Sequence, residues 1–381
     1  MWVGSLLISP LADRYGRKTI FIWSIVWYSF CTMIMALQTS GETLNIWRFL
    51  AGFGFGAQLV TMDAYIAEIV PPAARGRAFA FNQGVTFLAV PLAALMSWLL
   101  LPISTPLGDG WRSVVIIGGV GMAVGLYLRR ALPESPRWLA ARGRLAEAES
   151  VLLSIETQIE AQTGHLLPEP QGTQAGKPSR GRYFEIFSPR YVERTIMLSL
   201  FNAAQVIGFY GFAAWVPTLL VSRGVTITDS LEYSLVIAIA NPFGPFLAMT
   251  FADRIERKLQ IVGALALMGC FIAIFALASY GPLLVVLGVL FTLAANVMSY
   301  SYHAYQAELF PTRIRARGIG FVYSWSRLSA AFAGLMVGYF INNGGVPAIA
   351  VFIAVSISIS VVIIAVFGPL TRERPLEMVS E

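Results

Sequence analysis

The sequence predicts an all-α, multi-pass membrane protein built as two parallel-repeat helical bundles, and three observations predict it. The first is composition. Of 381 residues, 56% are hydrophobic, 13% aromatic and only 13% charged, and the mean hydropathy is +0.67. Soluble domains carry roughly a quarter charged residues, so this chain has about half the charge needed to coat itself for water. The second is a series of apolar runs long enough to cross a bilayer core, which takes about 20 helical residues. Ten such spans lie near 18–39, 45–70, 78–101, 112–130, 194–221, 231–250, 259–279, 282–310, 316–341 and 346–369, after a half-span from Met1 to Ala12. The third is an internal repeat at an interval of 240 residues.

That repeat is read from two unrelated motifs. Ala12-Asp13-Arg14-Tyr15-Gly16-Arg17-Lys18 returns as Ala252-Asp253-Arg254-Ile255-Glu256-Arg257-Lys258, and Tyr65-Ile66-Ala67-Glu68 as Tyr305-Gln306-Ala307-Glu308. Pro71, Arg75, Arg77 and Phe81 fall on Pro311, Arg315, Arg317 and Phe321 at the same interval. Both copies therefore share one membrane orientation, the parallel arrangement in which a substrate is held near the midplane between halves. The first copy is one span short of the second. The expectation is a twelve-span protein of which about eleven spans are present, the first being absent.

Charge sets the topology. Of 27 Lys and Arg residues, 23 fall in alternate loops and the tail, among them Arg14, Arg75, Arg254, Arg313 and Arg372, whereas the opposite loops hold only Arg112 and Arg223. Basic loops face the cytoplasm, which places the central linker and the C-terminus there, in a cell (inner) membrane. The same composition excludes disorder and argues against nucleic acid as a partner despite a pI near 9.4. Cys31 and Cys270 both lie inside apolar runs and the only histidines are His165 and His303, so neither a disulfide framework nor a metal centre is expected. No cofactor is expected, and no nucleophile or phosphate-cradling motif marks an enzyme.

Leu11-Ala12-Asp13-Arg14-Tyr15-Gly16-Arg17-Lys18 resembles the loop signature of the major facilitator superfamily, with Ser9 where a glycine is usual. Arg48, Gly52, Gly54, Gly56, Glu68, Pro71 and Arg75-Gly76-Arg77 resemble the fourth span of its sugar-porter-like branch. Pro133-Glu134-Ser135-Pro136-Arg137-Trp138-Leu139 resembles the branch signature after the sixth span. The resemblance covers essentially the whole chain. It implies the major facilitator fold, with an N-terminal bundle over 1–130, a cytoplasmic linker with short helices over 131–193 and a C-terminal bundle over 194–381. It also implies a secondary active transporter, monomeric in the lipid bilayer, working by alternating access with proton symport.

Two departures bear on substrate. The seventh span reads Asn202, Gln205, Gly208-Phe209-Tyr210-Gly211 and Trp215 where hexose porters carry paired glutamines, and the tenth reads Ser299-Tyr300-Ser301-Tyr302-His303 where they carry Gly-Pro and a tryptophan. Both look more like aromatic-acid, nicotinate and related organic-ion carriers. A sugar:proton symporter is the alternative, and a non-transporting sensor of the same fold a further one. A sensor usually carries a long cytoplasmic tail, and a channel would need a ring of pore-lining groups.

Ionisable residues inside spans are costly and mark functional sites. Here they are Arg48, Asp63, His303 and Arg327. Asp63 and His303 are equivalent positions of the two repeats. Asn296, Tyr300 and His303 share one polar helical face, as do Asn202, Gln205 and Phe209. Arg327, flanked by Tyr323 and Trp325, cannot discharge and requires an anion. Its fork fits a carboxylate and its aromatic neighbours fit a ring, so the expected substrate is a small organic anion, with Asp63 as resting counter-ion and proton site. The expected binding set is Asp63, Arg327, His303, Arg48, Asn202, Gln205 and Tyr300.

The expected gate is a pair of charge clusters: Asp13, Arg17, Glu68 and Arg75 in the first repeat, and Asp253, Arg257, Glu308 and Arg315 in the second. Asp13 and Arg17 are one turn apart, and Glu68 and Arg75 flank Pro71 as Glu308 and Arg315 flank Pro311. In the linker, Ser135-Pro136 reads as an N-cap and first helical turn. An amphipathic helix then runs from Leu145 to Gln162, with Leu145, Ala148, Val151, Leu152 and Ile155 on one face, before a disordered stretch from Pro168 to Gly181. The short helices are expected to brace the two bundles from below.

Overall fold

A chain that crosses hydrocarbon must satisfy every backbone N–H and C=O within itself, which leaves the helix as the form for an isolated apolar run. The computed structural model describes residues 1–100, 109–165, 167, 184–222, 235–278 and 280–371. A π-helical turn, Gly4–Ile8, leads into α1 (Ser9–Tyr15), followed by α2 (Arg17–Ala36), α3 (Gly41–Ile69) and α4 (Arg75–Leu100). α5 (Gly110–Gly119) and α6 (Gly121–Ala131) together make one span broken at Val120. The short helices α7 (Pro136–Ala141) and α8 (Leu145–Thr163) separate the halves. The second half holds α9 (Val192–Ser222), α10 (Leu235–Ala248, interrupted before Phe243), α11 (Arg257–Leu277), α12 (Gly281–Glu308) and α13 (Arg315–Phe367).

Each run read as a span is thus found in a helix. Seven helices of the described residues are long and apolar enough to cross a bilayer. The two runs at the end of the chain form one helical stretch, α13, divided at Gly345, whose φ of 65° and ψ of −160° are not helical. An α-helix cannot continue through that conformation, and Pro347, which has no N–H to leave unpartnered, falls in the first turn of the second arm. The stretch from Pro168 to Gly181, Arg223 and the tail arginines Arg372 and Arg374 lie outside the described residues, as do the side chains of Phe209, Tyr210 and Trp215.

Large apolar side chains such as Trp23, Leu200, Leu247 and Leu335 point outward, as a lipid-facing surface requires. Within the halves α2 packs on α3, α11 on α12 and α13 on α9. Across the halves α1 packs on α13 and α10 on α4. The repeat interval carries the Gly4–Ile8 turn, which also packs on α13, onto residues 244–248 of α10, so the halves meet about a pseudo-two-fold axis.

The linker begins as the sequence predicts: Ser135 caps α7 by accepting from the Trp138 N–H, with Pro136 in the first turn. α7 seats beneath α1, with Trp138 Nε1 and Arg142 Nη2 donating to the Asp13 carbonyl, and it also touches the turn Thr312–Ile314 of the second half. α8 rests on α7 through Ala148 and Val151. The expected apolar stripe of α8 is only half used, because α7 is too short to cover it. Leu145 and Leu152 stay 60% and 47% exposed.

Gly16 separates α1 from α2 at φ 107°. The turn it makes leaves the first N–H groups of α2 open, and Glu134 fills them: Oε1 accepts from Arg17 N at 2.9 Å and Lys18 N at 3.0 Å. A carboxylate at a helix N-terminus is favoured by the dipole as well as by the hydrogen bonds. A Cβ at residue 16 would lie 2.2 Å from the Glu134 carboxylate in a conformation L residues avoid. Gly16→Ala is therefore expected to cost roughly 1–3 kcal/mol, read as a lowered thermal midpoint of purified protein. Gly118→Ala, where an added Cβ meets nothing within 4 Å, is the control.

Candidate functional site: an ionic seam below a midplane cavity

At the basic end of the bundle, four carboxylates and four guanidiniums gather along the line where the halves meet, all of them buried except Asp253. Arg17 ion-pairs with Asp13 at 2.8 Å and with Glu68 at 3.0 Å, and Glu68 Oε1 also accepts from Arg315 Nη1 at 2.9 Å. Ser135 Oγ donates to the other Glu68 oxygen at 2.6 Å. The repeat-related cluster has Arg75–Glu308 at 3.1 Å, Arg257–Asp253 at 3.3 Å and Arg257–Glu308 at 4.0 Å. Glu68 and Arg75, which flank Pro71, do not pair with one another. Each pairs with the other repeat, because α4 and α13 begin on opposite sides of the same axis.

The aspartates cross as well. Asp13 accepts from the Ala316 and Arg317 N–H groups at 3.2 and 2.9 Å, and Asp253 from Gly76 and Arg77 at 2.7 and 3.2 Å. Each half thus caps the first turn of a long helix in the other, satisfying N–H groups that have no partner within their own helix. Burying these charges is tolerable only because each has its counter-charge. The two clusters differ in tightness. The Glu68 side chain is fully buried with both oxygens bonded, whereas one Glu308 oxygen makes no hydrogen bond within the protein and Asp253 keeps 14% side-chain exposure.

Above the seam lies a cavity of about 360 Å³, lined by both halves. Asp63 of α3 and His303 of α12 form its floor, with His303 Nδ1 2.6 Å from Asp63 Oδ2 and Gln306 Nε2 donating to the same oxygen at 3.1 Å. Each floor residue lies five positions before its seam glutamate, roughly 7–8 Å along the helix at 1.5 Å per residue. The aromatic wall is Tyr302, His303 and Tyr323: the His303 ring is 4.9 Å from Tyr302 and 5.5 Å from Tyr323. The Arg327 guanidinium lies 4.5 Å above the Tyr323 ring and lines the same cavity. The first half contributes Phe21, Phe55 and Phe87, with the amides of Gln58, Asn82 and Gln83. Gln83 Nε2 donates to Ser299 Oγ across the halves at 2.8 Å.

Of the residues singled out in the sequence, the cavity gathers Asp63, His303, Arg327 and Gln205. Asn202 is fully buried beside it, accepting from the Tyr302 hydroxyl and donating to the Leu198 carbonyl, so it positions a lining residue and does not itself line the cavity. Tyr300 and Asn296 turn into the second half, the first bonded to Gln260 and the second to Asn241. Their spacing from His303 spreads over more of the helix face than the cavity occupies. Arg48 lies on the exposed side of α3, away from the cavity. Asp63, expected as the counter-ion of Arg327, bonds to His303 and Gln306. Sequence reasoning missed Gln58, Asn82, Gln83 and Tyr302. The signal for the last was its place beside His303.

Comparison with known proteins agrees with this fold. The family model described as "Sugar (and other) transporter" matches residues 1–381. The chain is 30% identical over 378 residues to the putative metabolite transport protein YyaJ of Bacillus subtilis, covering 99% of this chain and 83% of that protein. It is 28% identical to the niacin transporter NiaP of Acinetobacter baylyi, over 100% of this chain and 85% of that one. Among solved structures, the major facilitator proton:xylose symporter XylE bound to 6-bromo-6-deoxy-D-glucose superposes with a TM-score of 0.79 at 21% identity, covering 100% of this chain and 86% of that one. At that identity the likeness carries the fold.

The seam predicts unequal costs. Glu68→Gln leaves Arg17 and Arg315 without their shared counter-charge, and removing one partner of a buried pair costs roughly 3–5 kcal/mol. Glu308→Gln, on the looser side, is expected to lower the thermal midpoint of purified protein by distinctly less. Equal losses in the two variants would contradict the asymmetry.

Proposed function

The chain belongs to the sugar (and other) transporter family of the major facilitator superfamily, and on that premise we propose that it carries a small organic anion, an aromatic or other carboxylic acid, with protons. It is a multi-pass membrane transporter and not an enzyme. The observation that carries the anion reading is Arg327. A guanidinium that cannot discharge lines a cavity between membrane-spanning helices, stacked on Tyr323. Its donors match a carboxylate in pairs, and the Tyr302, His303 and Tyr323 rings offer faces to an aromatic body. A niacin transporter among the relatives, carrying a ring with one carboxylate, supports the same class.

The basic face is the cytoplasmic one by the positive-inside rule, in the cell (inner) membrane. The ionic seam then seals the cavity from the cytoplasm, and alternating access opens it there. Asp13, Arg17, Glu68 and Arg75 with Asp253, Arg257, Glu308 and Arg315 form the latch, and its parting exposes the cavity floor. Asp63, the carboxylate of that floor, is the titrating group for proton symport. The protein works as a monomer, since both halves of the site belong to one chain. A sugar:proton symporter is the second reading, favoured by the amides of Gln58, Asn82, Gln83 and Gln205, which suit hydroxyl groups.

Substitution separates the two readings. Charge-assisted hydrogen bonds contribute roughly 1.5–3 kcal/mol each, so Arg327→Gln is expected to weaken nicotinate or benzoate binding by about one to two orders of magnitude. Arg327→Lys recovers only part, because an ammonium lacks the fork. The measurement is labelled uptake and binding with the protein in proteoliposomes, with xylose in parallel. If the double change Asp63→Asn with Arg327→Gln restores binding that either change alone impairs, Arg327 serves to neutralise Asp63 and the anion reading falls. Asp63→Asn alone is expected to lose uphill accumulation.

A further inference from the structure

Asp63 and His303 are separated by the repeat interval, 240 residues, and they bond to each other. They are equivalent positions of the two halves meeting close to the pseudo-two-fold axis. Neither has a second acidic or imidazole group beside it among the described residues. Charged and titratable groups facing the pair are Tyr302 on α12 and Tyr323 and Arg327 on α13, and the Met1 ammonium lies near Arg327. Below it stand the seam's Glu68 and Glu308 with their arginines. Gln306 donates to the carboxylate and can supply no proton.

We propose that the transported proton is held jointly between the Asp63 carboxylate and the His303 imidazole, one from each half, and that an anion on Arg327 and a proton on this pair favour each other's binding. The inference rests on the anion reading above and adds to it the second proton-binding residue and the cause of coupling. With the proton bound, imidazolium and carboxylate form a neutral pair. Without it, the pair carries one negative charge in the same cavity as the incoming carboxylate. Repulsion between those two negative charges is strong in a water-poor site, so the anion enters best when the proton is present, and by reciprocity the anion draws the proton in. Separation of the halves at the basic end must break the bond, because its two members belong to different halves. The proton then loses one of its two hosts at the moment the cavity opens to that side. It leaves there with the anion.

The test is nicotinate affinity of the purified protein against pH. One linked proton makes the affinity fall by up to tenfold per pH unit on the alkaline side. That slope is expected in the native protein and lost in His303→Gln and in Asp63→Asn. Because the two positions are equivalent by the repeat, the exchange Asp63→His with His303→Asp rebuilds the pair in mirror order and is expected to recover the slope. Proton uptake on adding nicotinate in weak buffer, followed with a pH dye, gives a readout independent of the exchanged variant: native protein takes up protons and His303→Gln does not. A native slope or native proton uptake in His303→Gln would overturn the proposal. So would a folded exchange variant that binds nicotinate without pH dependence. The anion site fails or stands on a different measurement, the affinity of Arg327→Gln at one pH.

Discussion

The arrangement depends on the cost of hiding charge from water. At the basic end of this bundle, guanidiniums and three of their carboxylate partners lie buried, and each is tolerable only because its counter-charge comes from another element. Glu68 illustrates the constraint: Arg17 of its own half, Arg315 of the other and Ser135 of the linker all converge on it. No single half satisfies this set. The two bundles and the linker are therefore joined at their closed end by electrostatic necessity, while the lipid-facing surfaces around them need only be apolar.

The capping aspartates extend the same logic to the backbone. Asp13 completes the first turn of α13, and Asp253 completes that of α4. Opening the basic end must leave four N–H groups to water or to new partners. Such contacts have a cheap alternative in solvent, unlike the buried guanidiniums, so the caps confer direction and register more than strength. The Glu68 cluster is the more completely bonded and the Glu308 cluster the less, an asymmetry that a perfectly symmetric protein would lack.

The helices and the repeat were legible in the sequence because each rests on a periodic property: apolar length and a fixed interval. Asp63, His303 and Arg327 were legible for a different reason, as charges inside apolar runs stand out. What could not be read was partnership. The i, i+4 spacing of Asp13 and Arg17 found a true pair, but no spacing showed that Glu68 also meets Arg315 and that Arg75 meets Glu308, each more than 200 residues away. Neutral amides such as Gln58, Asn82 and Gln83 left no trace either. An amide in an apolar run is ordinary, and only the packing of α3 and α4 shows which ones face the cavity. Arg48 and Tyr300 mark the opposite failure, in which a polar residue within a span faces away from the site.

The Asp63–His303 contact also bears on how such a molecule arises from a half-length ancestor. Two identical half-chains meeting about a true two-fold axis make an isologous interface, in which any residue on the axis faces its own copy. The seam tolerates this, since each glutamate there reaches an arginine at a different position of the partner and each aspartate reaches helix N–H groups. Position 63 does not. An aspartate would face an aspartate, and like charges held that close cannot both ionise; a histidine would face a histidine. Fusion of the halves into one chain frees the two copies to differ, and only then can this spot hold an acid against a base.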